Sequence, residues 1–154
     1  METSPRYKPN VTVACIVQCD DKFLIVEEWI DGEQRFNQPA GHLEANESLL
    51  DACLREVVEE TGLTIELDGL VGIYQFTASE SLAFLRFTFA CRLPSTSLPA
   101  LNPQDPAITK AHWFTLAQIQ ARSSQLRSPL VLSCIEDYLT GTLTPTALIS
   151  DQYL

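Results

Sequence analysis

Three glutamates in one short segment of the chain could bind a cation together. Glu56, Glu59 and Glu60 follow Arg55 within the stretch REVVEE. On an α-helix these carboxylates would share one face, where like charges repel one another and the carboxyl end of the helix disfavours negative charge. A divalent cation removes both penalties, since Mg²⁺ prefers oxygen ligands. The alternative is a solvated acidic face.

The segment also has the features of a helix that packs on a core. Ser48 suits the N-cap and Gly62 the C′ position, so we expect a helix over Ser48 to Thr61. Its apolar residues recur at helical spacing: Leu50, Leu54, Val57 and Val58. The acidic face would lie roughly 150° from this stripe. Arg55, four positions before Glu59, could hold that carboxylate in place.

The remaining elements predict a mixed sheet with few helices. VTVACIV and KFLIVEEW, separated by a short turn, indicate a hairpin. Three β-like stretches follow the acidic helix, LTIEL, GLVGIYQFTA and LAFLRFTFACRL, and AHWFTL adds a short strand. Helices are expected from Thr115 to about Arg122, and from Pro129, capped by Ser128, to a stop before Gly141. We expect one α/β or α+β sandwich domain over residues 1–154.

Composition excludes several classes of protein. The chain of 154 residues carries 20 acidic and 10 basic side chains, a formal net charge of −10, so we expect no nonspecific nucleic-acid binding. No apolar run approaches the roughly 18 residues of a membrane helix. METSPRYKPN lacks the apolar region of a secretion signal, and five cysteines without CxxC indicate buried reduced thiols. We therefore expect a cytoplasmic protein without membrane partners, either a monomer or a homodimer.

The stretch from Gly41 to Leu63 resembles the Nudix box, G-x5-E-x7-R-E-U-x-E-E-x-G-U, where U is a bulky aliphatic residue. All of its fixed positions match: Gly41, Glu47, Arg55, Glu56, Val57, Glu59, Glu60, Gly62 and Leu63. A chance match is on the order of 10⁻⁷ from average residue frequencies. The resemblance implies the Nudix fold, a mixed β-sheet sandwiched between helices, and hydrolysis of nucleoside diphosphate derivatives or related pyrophosphates with Mg²⁺ or Mn²⁺.

The resemblance also implies roles by position. These are Glu56 and Glu60 as the main metal ligands, Glu59 as a further ligand, a water-mediated ligand or a base, and the backbone carbonyl of Ala40 as a ligand common in the family. Glu47 would be an outer ligand or a partner of Arg55.

Stretches outside the box resemble one branch of the family, the NudJ-like phosphatases: NVTVACIV, FNQPAGHLEA, FLRF and LRSPLV. This likeness implies small-molecule substrates, namely nucleoside tri- and diphosphates, thiamine diphosphate or hydroxymethylpyrimidine diphosphate, with release of inorganic phosphate. The alternatives are a non-catalytic Nudix-fold binding module and an isomerase of isoprenoid diphosphates. A complete box disfavours both.

Two arginines outside the box are candidates for binding phosphate. Arg86 lies in the apolar stretch AFLRFTFA, on the same strand face as Phe84 and Thr88. A buried arginine needs an anionic partner, either a substrate phosphate or a structural carboxylate. Arg127 precedes a helix N-terminus that favours anions, with plain capping geometry as the alternative.

Other substrate contacts are expected from side chains near the box. Gln38 and Gln75 could hydrogen-bond a base or pyrimidine, and His42 could contact phosphate. Trp29 and Phe36 could stack on an aromatic ring, or could pack in the core or at a rim.

The catalytic base outside the box has two candidates. Glu80, in the stretch TASES, is slightly preferred to Asp105, in NPQDPA. Ala107 stands where many relatives place a glutamate before the late tryptophan strand, so that residue is not available here.

Overall fold

Strand pairing in the computed structural model, which describes residues 4–94 and 97–154, produces a seven-stranded mixed sheet. Its strands are β1 (Asn10–Cys19), β2 (Lys22–Ile30), β3 (Glu33–Asn37), β4 (Ala40–His42), β5 (Gly69–Ser79), β6 (Leu82–Leu93) and β7 (Ile108–Thr115). The α-helices are α1 (Leu49–Thr61), α2 (Leu116–Gln120) and α3 (Leu130–Thr140), and short 3-10 turns cover Ser123–Gln125 and Thr146–Leu148.

Strand β1 pairs with three strands, two of which carry predicted metal- or phosphate-binding residues. It pairs in parallel with β6 and antiparallel with β4 and with the start of β2. β5 extends the sheet beyond β6, while β3 and β7 pair with β2. The register places Thr12 opposite both His42 of β4 and Arg86 of β6. One residue of β1 therefore lies between the box and the candidate phosphate-binding strand.

Helices cover both faces of the sheet. Alternate side chains of a strand point to opposite faces. Val13 and Cys15 of β1 pack in one apolar cluster with Cys53 of α1. Ile16, on the other face, packs in a second cluster with Ile135 of α3. The expected mixed sheet between helices, in the α+β class, is confirmed.

The local predictions held where caps and turns decide the structure. The β1–β2 hairpin and the acidic helix are present, and all five cysteines are buried and free. Thr115 and Gln118 form the expected capping box. Ser128 accepts a hydrogen bond from the N–H of Leu130, although α3 begins one residue later than predicted.

The predicted strand LTIEL is wrong, because residues 63–67 form no strand. Ile65 is buried and Leu63 and Leu67 pack against the α1 side of the core. Alternate burial in a loop thus produced the strand-like pattern without sheet pairing. In the described part of the chain, no helix is long and apolar enough to cross a membrane. A single domain over residues 1–154 stays a prediction; residues 1–3 and 95–96 lie outside the described residues.

Candidate active site

The ends of α1 are fixed by hydrogen bonds that set the helix in place. Ser48 accepts from the N–H of Asp51 at 3.0 Å, as an N-cap residue does. At the other end Gly62 has φ +78°, and a Cβ there would lie 2.6 Å from the carbonyl oxygen of Asn102. The Asp105 N–H donates to the carbonyl of Glu59 at 2.8 Å. The loop that contains Asn102 and Asp105 therefore packs on the C-terminal end of α1 and brings Asp105 next to its carboxylates.

Two of the three helix carboxylates are buried against β4. Glu56 is 9% and Glu60 6% exposed, whereas the side chain of Glu59 is 44% exposed. The Glu60 Oε1 accepts from the Ala40 N–H at 2.7 Å. A Cβ at Gly41 would overlap the Glu56 carboxylate. The acidic face opposite the predicted apolar stripe is therefore not solvated throughout, because the glycine backbone of β4 approaches the helix closely and covers Glu56 and Glu60.

Arg55 connects most of the acidic side chains of the box. Its Nε and Nη2 donate to both oxygens of Glu47, at 3.0 and 2.8 Å. Its Nη1 donates to Glu56 at 2.8 Å and to Glu59 at 3.2 Å. The Nη2 also reaches the carbonyl of His42 at 3.1 Å. Such a planar fork fixes several carboxylates at once, which a lysine could not do.

The site holds more negative charge than Arg55 balances. Burial raises the pKa of Glu60 to about 9, and the nearby carboxylates of Glu56, Glu28 and Asp105 add to that rise. Burial also raises the pKa of Glu56. In contrast, the hydrogen bond from Arg55 lowers the pKa of Glu47. A further cation would favour the ionised form of both buried acids.

The donor atoms suit a hard divalent cation. Buried carboxylate oxygens lie next to a backbone strand, and Mg²⁺ takes such ligands together with waters. Within residues 4–94 and 97–154 no three metal-binding side chains converge as a closed set. Arg55 and the Ala40 N–H hold the Glu56 and Glu60 oxygens instead. Ligation by these groups, by Glu59 or by the Ala40 carbonyl stays a prediction.

A cavity of about 250 Å³ adjoins β4. The backbone of Ala40 and Gly41 forms part of its wall, and Thr12 of β1 contributes between β4 and β6. Phe76 and Phe84 line it with stacked rings, whose centroids are 6.5 Å apart at an interplanar angle of 16°. The acidic helix and the cavity therefore share the β4 backbone as a boundary.

Two basic side chains also line the cavity. Arg86 and Arg127 both line it, together with Ser128 and Leu130 at the start of α3. The Arg86 Nη2 donates to the Oε1 of the buried Gln38 at 2.7 Å. Two positive side chains and the start of a helix thus line one cavity, an arrangement that can hold a phosphate group.

The structure brings together most, but not all, of the predicted site residues. Ala40, His42, Arg86 and Arg127 line the cavity, and Gln38 lies behind Arg86. The metal-ligand candidates adjoin it through β4.

Four candidates lie elsewhere: Phe36, Trp29, Gln75 and Glu80. Phe36 is 4% exposed and packs edge-to-face on Phe114, with ring centroids 5.8 Å apart. Trp29 is 60% exposed and points to the other face of β2 from the cavity-lining Glu28. Gln75 alternates with the cavity-lining Phe76, so it is on the opposite face of β5.

Glu80 lies in the exposed turn between β5 and β6 and does not line the cavity. Its position does not support the predicted role as base. Asp105, the second candidate, is close enough to raise the pKa of Glu56 and Glu60.

Sequence reasoning missed Glu28, Phe76 and Phe84, which all line the cavity. Burial raises the pKa of Glu28, with Arg127 acting in the opposite direction. An acidic residue in the apolar run KFLIVEEW was a usable signal, because such strands rarely bury a carboxylate without a reason. A hairpin turn centred near Glu80 would also have paired the two phenylalanines, which are opposite each other in the register.

Comparison with known proteins agrees with this geometry. The sequence profile of the NUDIX domain matches residues 7–132, most of the chain. The chain belongs to the Nudix family. That family generally uses divalent metal cations, and the chain is a Nudix hydrolase.

The relatives of this Nudix hydrolase cover almost its whole length. It is 42% identical over 145 residues to the protein called phosphatase NudJ in Shigella boydii and in Escherichia coli K12, covering 94% of this chain and 93% of theirs. A Nudix hydrolase structure from Nitrosomonas europaea is 45% identical, with a TM-score of 0.84 over 93% of this chain and 97% of that one. A non-catalytic module is not favoured, because these relatives are named as a phosphatase and a hydrolase.

Proposed function

We propose that this Nudix hydrolase is a Mg²⁺- or Mn²⁺-dependent phosphatase of small organic di- or triphosphates. One observation carries the proposal: Glu56 and Glu60 are buried against β4, and the cavity that β4 borders is also lined by two arginines. A phosphoanhydride in the cavity would have its negative charge balanced by these arginines and by the cation that Glu56 and Glu60 would hold. Phosphoryl transfer needs mainly positioning and charge stabilisation, which this arrangement supplies.

The carboxylates of the box would bind the metal ion. Glu56 and Glu60 would hold the cation, with Glu59 and the Ala40 carbonyl as further ligands. When bound, the cation would neutralise phosphate oxygens and lower the pKa of a water. Arg55 would keep Glu56 and Glu59 in position through its hydrogen bonds.

The cavity would hold the substrate. Arg127 and Arg86 would bind phosphate oxygens, and His42, which also lines the cavity, would contact the same group. Phe76 and Phe84 offer an aromatic wall for the ring of a nucleotide base or a pyrimidine.

A carboxylate near the scissile bond would accept the proton of the attacking water. The new bond forms between the water oxygen and the terminal phosphorus, and the bridging P–O bond breaks. The organic phosphate leaves with the bridging oxygen, and the terminal group is released as inorganic phosphate. Asp105 and Glu28 are better placed for this role than Glu80, since both act electrostatically on Glu60.

The likeness to NudJ phosphatases supports a proposal for the substrate class. Proteins named phosphatase NudJ cover this chain almost fully, so we propose nucleoside di- and triphosphates, thiamine diphosphate and hydroxymethylpyrimidine diphosphate as substrates. A cytoplasmic location and a monomeric or homodimeric state are further proposals.

The test is a phosphate-release screen over those compounds with Mg²⁺, with Mn²⁺ and with EDTA. We expect release with either cation and none with EDTA. Glu60→Gln should lower turnover by orders of magnitude, whereas Glu66→Gln, which removes an exposed carboxylate beyond α1, should not. Release of phosphate at the same rate in EDTA would rule out the metal-dependent function.

A further inference from the structure

Arg86 is a buried cation without an anionic partner in the described part of the chain. It is 5% exposed, and none of the ion pairs among residues 4–94 and 97–154 includes it. Its Nε is buried without a hydrogen-bond partner in that same part of the chain. A buried guanidinium normally has its charge compensated, so Arg86 is incompletely satisfied where it borders the cavity.

Gln38 is the neutral group that holds Arg86. It is 1% exposed, and its Oε1 accepts from the Arg86 Nη2 at 2.7 Å. Its Nε2 donates to the carbonyl of Val131, in the first turn of α3, at 2.7 Å. Gln38 therefore ties the guanidinium of β6 to the helix whose N-terminus borders the same cavity. An amide fixes the direction of the guanidinium without cancelling its charge.

We infer that Arg86 binds an anion in the cavity, and that Gln38 is a positioning residue which keeps its guanidinium available to a phosphate group of the substrate. The identity of the anion as a substrate phosphate rests on the proposed function. The neutrality of Gln38 is essential to the inference, because a carboxylate at that place would pair with Arg86 internally and repel a phosphate.

The surroundings favour a bound anion over a structural role for the charge. If the charge of Arg86 served only the fold, an apolar side chain could replace it, because Arg86 makes no ion pair in the described part of the chain. The N-terminus of α3 also borders the cavity, and the positive end of its helix dipole stabilises a bound anion. Arg127 lies there too, so a phosphate group would meet two guanidinium groups and a helix N-terminus together.

The first experiment measures the binding of inorganic phosphate to the metal-free full-length protein. Titration in EDTA, at ionic strength matched with chloride, can be followed by NMR. We expect saturable shifts at residues around Arg86, and Arg86→Met should weaken affinity at least about tenfold. Arg92→Met is the matched control, because it removes an exposed positive charge from the same strand, roughly 20 Å away along β6. Arg86→Lys should restore part of the affinity.

The second experiment tests Gln38 by a double-mutant cycle on the Mg²⁺-loaded enzyme. Gln38→Met removes both hydrogen bonds at similar volume, and we expect KM to rise at least about fivefold with kcat within about twofold. Combined with Arg86→Met it should add little further, because both act through one guanidinium. Thr88→Val is the matched packing control: Thr88 is fully buried on the same strand face and does not line the cavity.

The outcomes separate this inference from the proposed function. If the wild type releases phosphate from substrates but Arg86→Met keeps both its phosphate affinity and its KM, the inference is wrong and the function stands. If Gln38→Met only lowers Tm, as Thr88→Val would, and its effect adds fully to that of Arg86→Met, Gln38 has a structural role alone. Should phosphate bind metal-free protein through Arg86 while no substrate is cleaved, the function fails and the anion site stands.

Discussion

Gly41 and Glu56 lie so close that the carboxylate occupies the space a Cβ at position 41 would need. Gly41 belongs to β4 and Glu56 to the middle of α1, so this approach is what joins the acidic helix to the wall of the cavity. The glycine of the box is therefore required by contact with a glutamate of the same box, fifteen residues later in the chain.

Gly41→Ala should displace the Glu56 carboxylate rather than unfold the protein, because the colliding group is the end of a side chain. A displacement of about 1 Å in an active site can lower activity on the order of 10²-fold. We expect a loss of that size in kcat/KM, together with weaker Mn²⁺ binding measured by titration. Gly32→Ala is the control: it strains a turn at φ +78° with no atom near the new Cβ, so it should cost stability but not metal affinity.

The buried carboxyl group of Glu60 should make the stability of the metal-free protein depend on pH. Its pKa rises from an ordinary value of 4.5 to about 9 on folding, chiefly through burial, so the folded chain binds a proton that the unfolded chain releases above pH 4.5. Stability should therefore fall as pH rises from about 4.5 to 9. In Glu60→Gln this part of the slope should vanish, as measured by Tm in EDTA from pH 5 to 9.

Metal should reverse that trend in the wild type. Since a divalent cation replaces the proton on Glu60, the increase in Tm caused by Mg²⁺ or Mn²⁺ should grow between pH 6 and 8.5. In Glu60→Gln the increase should be small and nearly independent of pH. A wild-type increase that shrinks as pH rises would contradict the assignment of Glu60 as a ligand.

Local sequence signals predicted the helix that carries the box carboxylates, but not strand β4. Ser48 and Gly62 mark the ends of α1 because capping depends on the residues themselves. The burial of Glu56 and Glu60 was not predictable from helical periodicity, which placed them far from the core. It depends on how closely β4 approaches the helix, and that distance is set by tertiary packing.

Long-range pairing explains the other differences. Glu28 and Arg86 reach one cavity because β2 and β6 both lie beside β1, and no local pattern specifies that arrangement. Glu80 was slightly preferred as the base, but the β5–β6 hairpin carries it to an exposed turn.

Arg55→Lys should impair the site although the charge is kept. Lysine cannot donate to both oxygens of Glu47 and reach Glu56 and Glu59 as well. Mutation of a residue that orients metal ligands typically lowers metal affinity or activity about 10- to 100-fold. We expect a loss of that order in kcat/KM. Arg35→Lys, on β3 away from the box, is the control. Full activity of Arg55→Lys would show that the fork geometry is not needed.

The catalytic base can be identified by comparing three amides. Asp105→Asn and Glu28→Gln each remove a carboxylate that acts on Glu60, whereas Glu80→Gln changes an exposed turn. Because a general base contributes about 10²- to 10⁴-fold, one of the first two variants should lose that much kcat, along with the acidic limb of its pH–rate profile. Glu80→Gln should keep both. If instead Glu80→Gln alone loses turnover while Mn²⁺ affinity is unchanged in all three, the base comes from the hairpin turn and our placement of it near Glu60 is wrong.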